Sequence, residues 1–127
     1  DQSASDNEFL GLANSSSSFA RNTVVIPRDA IITGLVLNIR DNVLTEGVMA
    51  EAEIFISPED ECAFTDPIAT GIIAAIMGPN NIMEPNCCVS TIANFPVGEC
   101  TLLSVQIRTN GGALANGVAA TVLFETT

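Results

Sequence analysis

From Val48 to Ser57 the chain alternates without a break: Val48, Ala50, Ala52, Ile54 and Ile56 share one side, and Met49, Glu51, Glu53, Phe55 and Ser57 share the other. A period of two belongs to a β-strand with one face inward and one toward water; a helix would scatter these residues around its circumference. Pro58 ends the segment, because proline carries no amide hydrogen for a sheet ladder.

The same pattern recurs along the chain. Val24 to Ile26 reads as a strand ended by Pro27, with Arg28-Asp29 as a polar turn into a second strand, Ala30 to Arg40. In that second strand Ile31, Thr33, Leu35, Leu37 and Ile39 fall on one face, and Ile32, Val36 and Arg40 on the other. Ile68 to Met77 is alanine-rich enough to be helical by propensity, but flanking Pro67, Gly78 and Pro79 favour a strand. Cys88 to Ala93 reads as a short strand, Pro96-Val97-Gly98-Glu99 as a turn and Thr101 to Arg108 as a strong strand. After a turn at Asn110-Gly111-Gly112, Gly117 to Thr126 closes the chain, with Val118, Ala120, Val122 and Phe124 on one side. About six to eight short strands with turns between them predict an all-β, antiparallel sandwich or barrel.

A chain of 127 residues makes one domain. Residues 1–18, ending in four serines (Ser15 to Ser18), read as a flexible or docked arm, with Phe9 and Leu10 as the residues that would dock it; residues 19–127 form the head. The chain starts at Asp1 without a signal core, so it is expected to be a piece of something longer. Only 15% of residues are charged and mean hydropathy is +0.39. So thin a polar surface leaves apolar area for another copy to cover, and a homo-oligomer is expected. The alternating faces that hold Val48, Ala50, Ala52, Ile54 and Ile56, and Val118, Ala120, Val122 and Phe124, are expected to build both the core and the contact between copies.

Charge and residue types exclude much chemistry. Fifteen acidic residues against four arginines give a net charge of -11, the wrong sign for nucleic acid or an anionic membrane surface. The longest charge-free stretch, Pro67 to Met83, is broken by Gly71, Gly78 and Pro79, so membrane insertion is not expected. With no histidine and no lysine, serine–histidine, cysteine–histidine and Schiff-base mechanisms are all unavailable. No tryptophan or tyrosine offers a platform for sugars. The chain is therefore not expected to be an enzyme, and no cofactor or metal is called for. Glu59, Asp60, Glu61 and Asp66 match no calcium-loop spacing and read as a solvated loop, while Asn14-Ser15-Ser16 fits a glycosylation sequon within a serine linker. Cys62, Cys87, Cys88 and Cys100 allow three internal pairings. Neighbours on a strand point to opposite faces, so Cys87 and Cys88 are expected to bond to different partners, with Cys62 and Cys100 as those partners; free buried thiols and intermolecular links are the alternatives.

Ile26-Pro27-Arg28-Asp29-Ala30-Ile31-Ile32-Thr33-Gly34-Leu35 resembles the proline-arginine turn in the C-terminal domain of BclA-type and BclB-type collagen-like glycoproteins of the spore exosporium. Phe95-Pro96-Val97-Gly98-Glu99-Cys100-Thr101-Leu102-Leu103 is similar to a later segment of those domains, and Gly117 to Phe124 to their final small-residue strand. The resemblance implies a tumour-necrosis-factor-like jelly roll that forms a homotrimer at the end of a collagen-like stalk in cis. It implies a structural head that trimerises and caps a filament outside the cell, on the bacterial spore surface, in contact with other spore-coat proteins. A surface recognition or adhesin tip, binding a host protein or glycan, is the alternative function. The chain departs from the family in having four cysteines and no Gly-x-y stalk.

Overall fold

The computed structural model describes residues 4–11, 14–39, 44–58, 66–111 and 118–127. They form nine strands: β1 (Glu8–Gly11), β2 (Asn14–Ser16), β3 (Val24–Val25), β4 (Ala30–Ile39), β5 (Met49–Ile56), β6 (Ile68–Met77), β7 (Cys88–Val97), β8 (Leu102–Thr109) and β9 (Val118–Thr126). One 3-10 turn at Phe19–Arg21 interrupts the series, and no α-helix occurs among the described residues. Every strand pairing is antiparallel.

One sheet runs β2-β1-β8-β5-β6 with β3 also on β8; the other has three strands, β7-β4-β9. The core lies between them. Ala50, Ala52 and Ile54 of β5, Ile72, Ala74 and Ile76 of β6, and Leu103, Val105 and Ile107 of β8 meet Ile32, Leu35, Leu37 and Ile39 of β4. Alanine on β5 and β6 opposite leucine and isoleucine on β4 gives the small-against-large filling that an aromatic-poor interior needs. This is an all-β antiparallel sandwich, as the turn spacing and alternation predict.

Four local features depart from the sequence pattern. In β4 a bulge between Ile32 and Gly34 shifts the register against both neighbours, so inward positions change parity at Thr33. Ile32 is fully buried together with Leu35, Leu37 and Ile39, while Ile31 is only half-buried, which regroups the two faces expected for this strand. In β7 the strand continues through Pro96 to Val97, and the turn falls at Gly98–Thr101 instead. Proline is tolerated there because β7 is an edge strand with a ladder on one side only. In β6, the two steps from Glu53 to Phe55 on β5 face four from Ile73 to Ala69, and Gly71 takes the left-handed φ of 78° that such an irregularity needs. Finally, the supposed water face of β5 is partly closed: Glu53 is 5% and Ser57 4% exposed.

The N-terminal residues pair onto the sandwich as a β1-β2 hairpin, with Phe9 opposite Gln106 and Leu10 opposite Val105 of β8. Leu10 packs against the core, and Phe9 lies on the outer side of the sheet, buried by an edge-on contact with Phe19 and another with Phe55, both at 5.5 Å.

Candidate functional site

Asp29 gathers three distant parts of the chain at one corner. Its carboxylate accepts the backbone N–H of Glu99 at 2.9 Å, and its carbonyl accepts the backbone N–H and the hydroxyl of Thr127, each at 3.1 Å. Beside it Ile26 exchanges backbone hydrogen bonds with Cys100 and Thr101, and Ile32 sits between Phe95 of β7 and Phe124 of β9. The segments Ile26–Leu35, Phe95–Leu103 and Val118–Phe124 are therefore one structural unit. Their roles are turn closure and strand pairing, and Phe95–Leu103 also carries the exposed thiol of Cys100.

The outer side of the sheet formed by β7, β4 and β9 has a different character. Register places Ile92, Gly34 and Leu123 in one row across the three strands. Ile92 is 93% and Leu123 46% exposed. Between them Gly34 is buried under Leu123: a Cβ there would stand 3.0 Å from the carbonyl oxygen of Thr91 and 3.2 Å from Leu123 Cδ1, too close to fit without a shift. Neighbouring outward positions hold Ser90, Asn94, Val36, Asn38, Ala119 and Thr121, and Glu125 is the one charged residue on this face among the described residues. The free edges differ too. β7 is met by β6, whose Ile73 carbonyl accepts the Thr91 hydroxyl at 2.7 Å, whereas β9 pairs only with β4. An edge strand with bare apolar groups invites another strand or surface.

The residues expected to serve core and contact together fall mostly on the core. Ala50, Ala52, Ile54 and Val118 are buried inside one chain; Val48, Ile56, Ala120 and Val122 pack against them; Phe124 is 42% exposed at the open end of β9. The uncovered surface is instead the opposite side of β9 and β7. A sequence signal for it exists in the outward series Ser90, Ile92, Asn94, which lacks charge, but alternation alone does not say which face a partner sees.

The outer side of the larger sheet carries the chain's ion cluster. Arg108 Nε donates to Glu51 Oε1 at 2.7 Å, its Nη2 also contacts Glu51, and Nη2 lies 2.6 Å from Glu53 Oε1. Glu53 additionally accepts the N–H of Gly71 at 3.0 Å. Burial alone disfavours a charged guanidinium, but hydrogen bonds and attraction from both carboxylates outweigh it and hold Arg108 above its ordinary value. The cluster is satisfied internally and ties β8, β5 and β6 together.

The cysteines separate to opposite ends. Cys88 opens β7 opposite Asn38, whereas Cys100 lies in the turn beyond Val97, bonded to Ile26. Ten residues of strand put those ends roughly 30 Å apart, against the 4–7 Å between Cα atoms that a disulfide spans. A Cys100 bond to Cys87 or Cys88 within one chain is therefore excluded. Cys62 lies outside the described residues, as do Glu59, Asp60, Glu61, Arg40, Gly112 and Gly117; Asp66 is exposed. Among the described residues no group of three or more acidic or cysteine side chains is placed to hold a metal ion.

Comparison with known proteins returned no matching family model, no significantly similar curated protein and no significantly similar solved structure.

Proposed function

We propose that this chain is a non-catalytic, self-associating head that trimerises and caps a collagen-like filament on the bacterial spore surface. One observation carries the reading: the nearly charge-free outer face of β7, β4 and β9, where Ile92 is almost fully exposed and Leu123 half-exposed. Copies of a chain with net charge -11 repel wherever acidic groups face one another, and that repulsion is weakest on this face. A contact built there is made of small and branched side chains, which pack closely. The threefold count comes from the family resemblance, and it suits the task. Successive Gly-x-y triplets look alike to a neighbouring chain, so collagen strands find their register poorly unless a trimeric head fixes it.

The test is mass in solution under reductant. Light scattering on the chain should give three times 13.2 kDa, and a head fused to a Gly-x-y segment should raise that segment's melting temperature. A stable particle of 13.2 kDa would overturn the proposal. Saturable binding of a host-surface ligand by an assembly that leaves the collagen segment unchanged would replace it with a recognition role.

A further inference from the structure

We propose that the vicinal pair Cys87-Cys88, with the ordered apolar loop before it, is a covalent coupling surface between two copies of this chain. The loop from Asn81 to Glu84 is built rather than loose. Asn81 Oδ1 accepts the N–H groups of Met83 and Glu84, each at 2.9 Å; Asn80 Oδ1 accepts that of Asn86, and the Asn86 amide donates back to the Met77 carbonyl. At its tip Ile82 is 97% and Met83 88% exposed. Two bare apolar side chains on a fixed loop beside two thiols, one exposed and one half-buried, form a surface with no disulfide partner among the described residues.

Internal bonding is closed to this pair among the described residues. Cys100 is a strand length away, as shown above. A bond between Cys87 and Cys88 themselves conflicts with the backbone they sit on: Cys87 accepts the N–H of Ile39 through its carbonyl, Cys88 is in register with Asn38, and successive side chains there point to opposite faces. Cys62 lies outside the described residues, and among the described ones no other cysteine remains; a second copy supplies the partner. An isologous contact brings the same thiols from both sides, so this chain supplies both sulfurs, and the apolar tips of the two loops meet each other. Area alone does not hold such a contact, because one loop tip covers far less than the roughly 1,000 Å² of a stable interface. The bond supplies what the area lacks.

The chemistry is thiol–disulfide exchange with a small-molecule disulfide such as oxidised glutathione. A Cys88 thiolate attacks it, forming a mixed disulfide and releasing one glutathione thiolate; Cys88 of the second copy then displaces the other. Two protein thiols lose two protons and two electrons to form one S–S bond, and one oxidised glutathione becomes two reduced molecules.

To test this, the reduced chain is placed in a glutathione redox buffer and followed by non-reducing electrophoresis and peptide mapping. A dimer-mass species should appear, vanish with reductant and map to linked peptides that contain Cys87-Cys88. Cys100→Ser should leave it unchanged, and the double variant Cys87→Ser/Cys88→Ser should lower it at least tenfold. Ile82→Ser/Met83→Ser, which keeps both thiols, should slow coupling several-fold. A chain that stays monomeric in mass on oxidation, links that map to Cys100, or a double variant that couples as well as the parent would each overturn the proposal; an unchanged rate in the loop variant would remove the loop from it. Mass measured under reductant reports the non-covalent assembly separately, so the two proposals fail independently.

Discussion

On the outer side of the larger sheet, three phenylalanines meet edge-on and an arginine lies between two glutamates; on the outer side of the smaller sheet, Leu123 lies over Gly34 and Ile92 stands almost fully exposed beside them. Both are solvent faces of one sandwich. On the first, the N-terminal hairpin extends the sheet beside β8 and, with the 3-10 turn, brings Phe9 and Phe19 against Phe55, while the charges of Arg108, Glu51 and Glu53 pair in place. The second has no such aromatic cluster or ion pair among the described residues. β9 is the edge strand on the side of β4 away from β6 and is part-exposed on both sides, with Leu123 outward and Phe124 toward the core yet 42% exposed. The two faces therefore differ: one is filled by side chains of the same polypeptide, and on the other, under the proposed function, a second copy would cover Ile92.

Removing the aromatic cluster should have the largest effect on stability. Phe9→Ala deletes a ring that is 5% exposed and touches two other rings, and we expect about 3 kcal/mol of destabilisation by urea unfolding, the low end for a buried phenylalanine. A loss below about 1 kcal/mol would mean that the hairpin merely lies on the sheet, and the contrast between the faces would weaken.

The ion cluster gives the next effect. Arg108→Ala leaves Glu53 nearly buried with the Gly71 N–H as its remaining hydrogen-bond donor, an uncompensated charge. The arginine is about a third exposed, so the cost is reduced from that of a fully buried pair to about 2 kcal/mol. Glu51 is more open to water than Glu53, so Glu51→Gln should cost less than Glu53→Gln in the same unfolding experiment. The reverse order would show that burial does not set the strength of this cluster.

Much of the architecture was legible in the residues, and the reasons for the rest are local. Strict alternation fixed β5, and the prolines and glycines around Ile68–Met77 placed a strand where alanine content favoured a helix. The bulge at Thr33 was hidden, because inserting one residue reverses every later side chain without altering the apolar count. Pro96 signalled a turn, yet an edge strand accommodates it. The candidate contact face was the least visible part. Period two separates the two sides of a strand, but whether the inner side is sealed by the same chain or by another depends on how wide the opposing sheet is. That is a long-range fact, as is the meeting of Ile26–Leu35, Phe95–Leu103 and β9 at Asp29.

The smallest change in folding stability should come from the bare face, and there the comparison is sharpest. Ile92→Glu replaces a side chain that is 93% exposed on an edge strand, so it removes almost no buried area and should alter unfolding of the dissociated chain by no more than about 0.5 kcal/mol. Association should respond oppositely. Copies that bring Ile92 toward one another would bring carboxylates together in a drying contact, with Glu125 already nearby, and like charges so placed cost several kcal/mol. The assembled species should accordingly give way to monomer at the same concentration, measured by light scattering, with the denaturation midpoint of the monomer unchanged. If Ile92→Glu instead unfolds the chain, the face is structural and not a contact. If it assembles like the parent, copies meet elsewhere, and the free edge of β9 becomes the surface to mutate next.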